Sequence, residues 1–194
     1  MDILRGWVIG LAAVSFWQGS TAQVPGGVQK PNAAALAEWR ARVPEIQKLL
    51  EASDEQNCRG APAPEIVDAF GSSKEGLSVA LVDYCSGGAY TDSLIPMLLV
   101  EGKPAQARFR GANGKAIRVE FMSGASAMHS RFVELGAEQK AIYDRFTEND
   151  GAGKVASCGV KAYVWNAQSR TFDLDFRLSR TASADYCRRL RAKQ

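Results

Sequence analysis

The sequence predicts an α+β fold: an antiparallel sheet with an N-terminal helix packed on it, and two disulfides. Three observations predict it. Thr171 to Leu178 alternates without a fault, with Phe172, Leu174, Phe176 and Leu178 on one side and Thr171, Asp173, Asp175 and Arg177 on the other, the period of a half-buried strand. Leu36, Trp39, Val43, Ile46 and Leu50 recur at three- and four-residue steps, which makes one apolar helical stripe. Cys58, Cys85, Cys158 and Cys187 follow an N-terminal segment that reads as an export signal, and cysteines in an oxidising compartment pair by default.

The export signal comes first in the chain. Met1 to Arg5 carries one arginine, Trp7 to Trp17 is apolar, and Ser20-Thr21-Ala22 supplies small residues for cleavage after Ala22. The apolar run is too short for a bilayer span, which needs about 20 residues. Residues 1–22 are therefore expected to be a signal peptide and 23–31, rich in Gly and Pro, a flexible leader. Residues 32–194 are expected to form one α+β domain, periplasmic or secreted, with no membrane span once the signal is removed.

Asn32 is placed to cap the helix that bears the stripe, and Pro44 within the stripe predicts a kink or break. Pro64 to Phe70 reads as a short helix ended by Gly71. Leu77 to Tyr84 is apolar on both faces, the pattern of a central strand covered on both sides. Cys85 to Tyr90 is a turn, and Leu94 to Val100 a second strand that Pro96 assigns to an edge. Ala105, Ala107 and Phe109 alternate up to Asn113-Gly114, a strong hairpin signal, and Ile117, Val119 and Phe121 alternate after it. Met128 to Leu135 reads as a strand, Glu138 to Phe146 suits helix or strand, and Asn149 to Gly153 is a loop. Val160 to Trp165 and Thr171 to Leu178 form the last hairpin, between Cys158 and Cys187.

Four cysteines allow three pairings, of which Cys58–Cys85 and Cys158–Cys187 close the shorter loops; each bridge would stabilise by roughly 3–4 kcal/mol. Zinc fails on spacing: no two cysteines are close, and the single histidine, His129, has no near partner. No metal site and no cofactor is expected. The net charge of +3, from 24 basic and 21 acidic residues, gives no reason to expect nucleic acid.

No motif for chemistry survives inspection. Gly151-Ala152-Gly153-Lys154 lacks the upstream Gly and following Ser or Thr of a phosphate loop. A Ser-His-Asp triad would have to use His129, with no G-x-S-x-G elbow in the chain. No catalytic residue is assigned. Gly87 and Gly88, with Tyr90, form a turn that could present backbone amides to an anion, although a plain tight turn is the commoner outcome. Arg108, Arg110 and Arg118 make a modest basic patch on one hairpin face, for which solubility is the ordinary explanation. The Asp173/Asp175 pair shares a strand face, as acidic residues on exposed strands commonly do.

Leu81-Val82-Asp83-Tyr84-Cys85-Ser86-Gly87-Gly88-Ala89-Tyr90 resembles the C-x-x-G-A-Y segment of an exported bacterial family described only as domain of unknown function 1176. Ser157-Cys158-Gly159, Tyr163-Val164-Trp165-Asn166, Phe172-Asp173-Leu174 and Cys187-Arg188 resemble its D-C-G, W-x-W-D-G, F-x-L and C-R-G elements in the same order. Ser157, Tyr163 and Arg189 depart from that pattern, and the turn after Asn166 is longer. The likeness runs from about Ala33 to Arg189 and implies an exported, cysteine-bridged α+β domain without an assigned activity.

The functional expectation is a non-enzymatic binding or inhibitor-type protein whose partner is an envelope protein or a cell-wall ligand. The alternative is a cell-envelope enzyme with a carboxylate-based site, which a deep cleft holding two carboxylates of displaced pKa would reveal.

Overall fold

The computed structural model describes residues 32–53, 62–84, 91–125, 129–150, 152 and 154–183. The expected signal and leader, the Cys85–Tyr90 turn and the basic C-terminal tail lie outside them. The stripe residues form two helices, α1 (Ala33–Arg40) and α2 (Val43–Ala52). The Asn32 side chain accepts from the amides of Ala34 and Ala35, at 3.1 and 3.3 Å, and starts the first helix. Pro44 stands in the first turn of the second, where its missing N–H has no helical partner to lose. The break thus falls where the proline predicts, and Trp39, Ile46 and Leu50 still bury on one surface.

The rest is β structure. The strands are β1 (Glu65–Ser72), β2 (Leu77–Asp83), β3 (Thr91–Val100), β4 (Lys103–Gln106), β5 (Phe109–Arg110), β6 (Ala116–Ile117), β7 (Phe121–Ala125), β8 (His129–Gly136), β9 (Ala141–Asn149), β10 (Val155–Asn166), β11 (Thr171–Leu174) and β12 (Arg180–Ser183). All twelve belong to one sheet, in the order β1-β2-β3-β7-β8-β9-β10-β11-β5-β6, with β4 added to β3 and β12 to β10. The sheet is mixed, because β5 and β11 run parallel. The α+β expectation is corrected accordingly. The described residues are predominantly β, their two α-helices have only 8 and 10 residues, and the sheet is not wholly antiparallel.

β2 organises the packing. Leu77, Val79 and Leu81 enter an inner core with Leu94, Phe121, Val133, Ile142, Tyr163 and Phe172. The alternate residues Ala80 and Val82 enter an outer core with Trp39, Ile46, Leu50 and Met97, beneath the helices. A strand that is apolar on both faces is thus covered on both, as its sequence predicts. Ser78 is the one fully buried polar residue in it, and the indole Nε1 of Trp39 donates to its Oγ at 2.9 Å. The inner core closes on four rings from four strands, Phe109, Phe121, Tyr163 and Phe172, whose paired centroids lie 5.2–5.7 Å apart. The sheet curls until β1 meets β8, where the Asp68 carboxylate accepts from the Leu135 amide.

Three elements differ from expectation. Pro64 to Phe70 is not helical. Ile66 and Ala69 face the helices while Phe70 faces the inner core, because a bulge at Val67 inserts one unpaired residue. The bulge therefore reproduces a three-residue spacing inside a strand. β3 is not an edge: it pairs with β2 along one side and shares its other side between β7, at Thr91–Leu94, and β4, at Met97–Val100. Pro96 falls at the seam between those two partners. Its carbonyl accepts from Ala107 at 2.9 Å, so its nitrogen faces the seam, where no ladder needs a donor. Finally, β11 stops at Leu174, although the alternation continues to Leu178.

The hairpin at Asn113-Gly114 forms as its sequence predicts. Gly114 has φ of 70°, the Asn113 side chain accepts from Lys115 N at 3.0 Å, and Phe109 pairs with Ile117. Glu138 to Phe146, ambiguous from its period, contributes to β9. The expected pair of bridges falls largely outside the described residues. Cys58, Cys85 and Cys187 lie outside the described residues, so no disulfide pair lies within them. Cys158, opposite Thr147 and Ala182, is in disulfide-bonded form. Gly159 beside it permits close packing, since a Cβ there would meet Arg180 O at 2.3 Å and the Phe146 ring at 2.8 Å. Among the described residues, no helix is long and apolar enough to cross a membrane.

A double-mutant cycle of Trp39→Phe and Ser78→Ala tests the buried bond. Urea unfolding is expected to give a coupling energy of about 1 kcal/mol, with Trp39→Phe alone costing about 1–3 kcal/mol. A coupling of zero would show that the indole N–H contributes nothing to the helix–sheet contact.

Candidate ligand-binding groove

Of the binding candidates read from the sequence, the three arginines lie among the described residues. Gly87, Gly88 and Tyr90 lie outside the described residues. Arg110 donates from Nε to Gly114 O at 2.7 Å and so holds its own turn. Arg118 approaches Glu120 at 3.9 Å, with both side chains about two-thirds or more exposed, at 67% and 76%. Arg108 is exposed, and its carbonyl accepts from Phe172 N at 2.8 Å, a sheet contact.

A larger feature lies on the neighbouring strands, where β10 turns into β11. There a depression of about 590 Å³ is lined by Trp165, Asn166, Asp173, Leu174, Phe176 and Arg177, among others. Its floor is locked by hydrogen bonds. Asn166 Nδ2 donates to Asp173 Oδ2 at 2.8 Å, and Thr171 Oγ1 donates to Asp173 Oδ1 at 2.7 Å. Asn166 Oδ1 accepts from the amides of Gln168 and Ser169, at 3.1 and 3.3 Å, and so shapes the turn. Trp165 is held against Phe172, ring centroids 5.3 Å apart, and thereby against the inner core.

The far wall is the turn after β11. Asp175 Oδ1 accepts from the amides of Arg177 and Leu178, at 2.7 and 3.3 Å, and its carbonyl accepts from Ser179 N at 2.9 Å. Burial pushes the Asp175 carboxyl up, but the Arg177 amide and guanidinium and the Leu178 amide outweigh it. Its pKa therefore lies below the ordinary 3.8, and the group is anionic at neutral pH. The turn carries Phe176, which is 65% exposed, the most exposed of the large apolar side chains among the described residues. An aromatic ring held in water beside fixed polar groups is a common feature of small-molecule sites.

A second polar feature sits at the inner face. Asp144 pairs across the sheet with Val133 and Lys161, and lies two residues from Ile142 of the inner core. It is 3% exposed, and its Oδ1 is buried without a hydrogen-bond partner. Burial raises its pKa above 3.8, and the charges of Arg131 and Lys161 only partly oppose this. Burial also raises Tyr163, and the Asp144 charge adds to that. Lys161 projects its ammonium over the Phe146 ring, 5.8 Å from the centroid. A smaller depression of about 440 Å³ beside Arg131, Phe132 and Phe146 adjoins this region.

Sequence reasoning placed Phe176 on the buried side of a strand and took Asp173/Asp175 as ordinary exposed acids. The signal available was the Asp175-Phe176-Arg177-Leu178-Ser179 stretch, since Asp favours a turn in which it accepts from the amides two and three residues on. Asp144 was hidden by the ambiguity of Glu138 to Phe146; a strand reading places it on the face of Ile142 and Phe146. Comparison with family models, with curated proteins and with solved structures yields no match for this chain.

The raised pKa of Asp144 makes a prediction about pH. The folded state holds this proton more tightly than the unfolded state, so the contribution to stability is full below 3.8 and is lost as pH rises through the folded pKa. Asp144→Asn is expected to raise the melting temperature at pH 7 and to flatten its fall between acid and neutral pH. A lower melting temperature for Asp144→Asn at pH 7 would mean that the ionised carboxylate stabilises the fold through Arg131 and Lys161.

Proposed function

We propose that this chain is a non-enzymatic binding protein acting outside the cytosol, and that it takes its ligand in the groove between Trp165 and Phe176. The observation that carries the reading is the exposed Phe176 on a hydrogen-bonded turn, beside the locked Asn166 and Asp173. Such a site costs little to order on binding, because its polar groups and its ring carrier are already fixed. The depression also falls within the usual range for small-molecule sites, about 300–1,000 Å³. The apolar Trp7 to Trp17 run, the Ser20-Thr21-Ala22 cleavage signal and the resemblance to an exported family support the compartment.

A carboxylate-based enzyme has less support. Asp173 uses both oxygens within the hairpin, and Asp175 is spent on its own turn. Among the described residues, the two carboxyls with raised pKa are Asp68, which accepts from two backbone amides, and Asp144, whose Oδ1 is shielded from solvent. Neither lines the groove.

The test is capture in solution. The purified protein is mixed with envelope extract, re-isolated by gel filtration and measured by native mass spectrometry, in parallel with Phe176→Ala. One stoichiometric non-covalent adduct is expected on the wild type and is expected to fall about tenfold in the variant, whose melting temperature should be unchanged because Phe176 is exposed. An adduct retained equally by Phe176→Ala would place binding elsewhere, and conversion of an extract component without any adduct would favour an enzyme.

A further inference from the structure

We infer that the ligand of this groove is an uncharged saccharide, one ring of which stacks on Phe176 while its hydroxyls meet Asp173, Asn166 and Arg177. The inference rests on the binding reading above and adds the chemical class.

The charges select it. Asp173 lies in the floor and Asp175 in the far wall, and Asp175 stays ionised at neutral pH. An anionic ligand would meet both carboxylates. A cation is the other natural guest of an aromatic ring beside a carboxylate. Here, however, the Arg177 guanidinium lies 3.4 Å from Asp175 Oδ2 and would repel a second cation. Neutral ligands remain, and among them the groove favours those that both donate and accept.

The hydrogen-bond inventory is mixed in the same sense. Each Asp173 oxygen accepts one bond from the hairpin and keeps further acceptor capacity. Asn166 Nδ2 gives one hydrogen to Asp173 and has a second to give. Arg177, whose side chain is 91% exposed, presents most of its five N–H donors to solvent. A hydroxyl is both donor and acceptor, so a ring bearing several of them can use all three side chains. Its C–H face supplies the apolar surface that an exposed phenyl ring lacks. The rigidity fits as well: Trp165 is pinned by Phe172, and the Phe176 turn by Asp175 and by Ser179 Oγ, which donates to Asp175 O at 2.6 Å.

The test uses defined probes on the purified protein: maltotriose, cellotriose and chitotriose, with tetramethylammonium and glucuronate as charged controls. Binding is read from the chemical shifts of the Trp165 indole N–H and the Asp173 and Arg177 amides. At least one neutral trisaccharide is expected to give saturable shifts at these groups. The affinity is expected to fall about tenfold in Phe176→Ala and in Asp173→Asn, with melting temperature preserved in the first. Saturable shifts from tetramethylammonium or glucuronate in place of the trisaccharides would overturn the saccharide assignment. So would silence from all three trisaccharides while the Phe176-dependent adduct from envelope extract persists; that result would leave the binding reading standing. Loss of both would remove the groove as a site.

Discussion

Everything in this fold depends on a seven-residue strand that must be kept dry on both faces. β2 sends Leu77, Val79 and Leu81 into the inner core and Ala80 and Val82 under the helices, with Ser78 satisfied by Trp39. Burying a large apolar side chain contributes roughly 1.5–3 kcal/mol, and an unsatisfied buried hydroxyl removes a comparable amount. One face of β2 therefore requires the curled sheet, and the other requires the two helices and a donor at the position of Trp39. Neither layer has a complete core without it.

The groove follows from how a long strand finds partners in such a sheet. β3 and β10 each have two short partners along one side: β7 and β4 for the first, β11 and β12 for the second. Between the two partners a gap opens in the ladder, and the gap must be filled. On β3 a proline fills it, because no donor is needed there. On β10 the gap at Ala162 is filled by the turn that joins β11 to β12: Asp175 N donates to Ala162 O at 2.9 Å, and Ala162 N donates to Ser179 Oγ at 3.0 Å. That requirement ends β11 at Leu174 and lifts Phe176 out of the sheet. The exposed ring is thus held at the groove by backbone hydrogen bonds required by the sheet itself.

Much of this was legible in the residues, and the failures share a cause. The covered strand at Leu77, the helix break at Pro44, the Asn32 cap and the Asn113-Gly114 turn each rest on local chemistry and appear as their sequence implies. Pro64 to Phe70 is a strand in place of the expected helix, and its bulge gives Ile66 and Ala69 a three-residue spacing on one face. Pro96 misled because an internal seam tolerates a proline as well as an outer edge does. Phe176 misled because alternation reports what a strand could bury, whereas the partner of β10 decides where the strand stops. Asp144 could be placed only once β9 was known to be a strand. In each case the deciding contact came from residues far away in the chain, and periodicity carries no information about those.

The dual burial of β2 is open to direct measurement by native-state amide hydrogen exchange. The amides of Val79, Ala80, Leu81 and Val82 are expected to exchange only through global unfolding, with opening free energies equal to the stability measured in denaturant. Those of Thr171 to Leu174 are expected to open locally at lower cost. Exchange of the β2 amides as fast as those of β11 would contradict the central place of this strand.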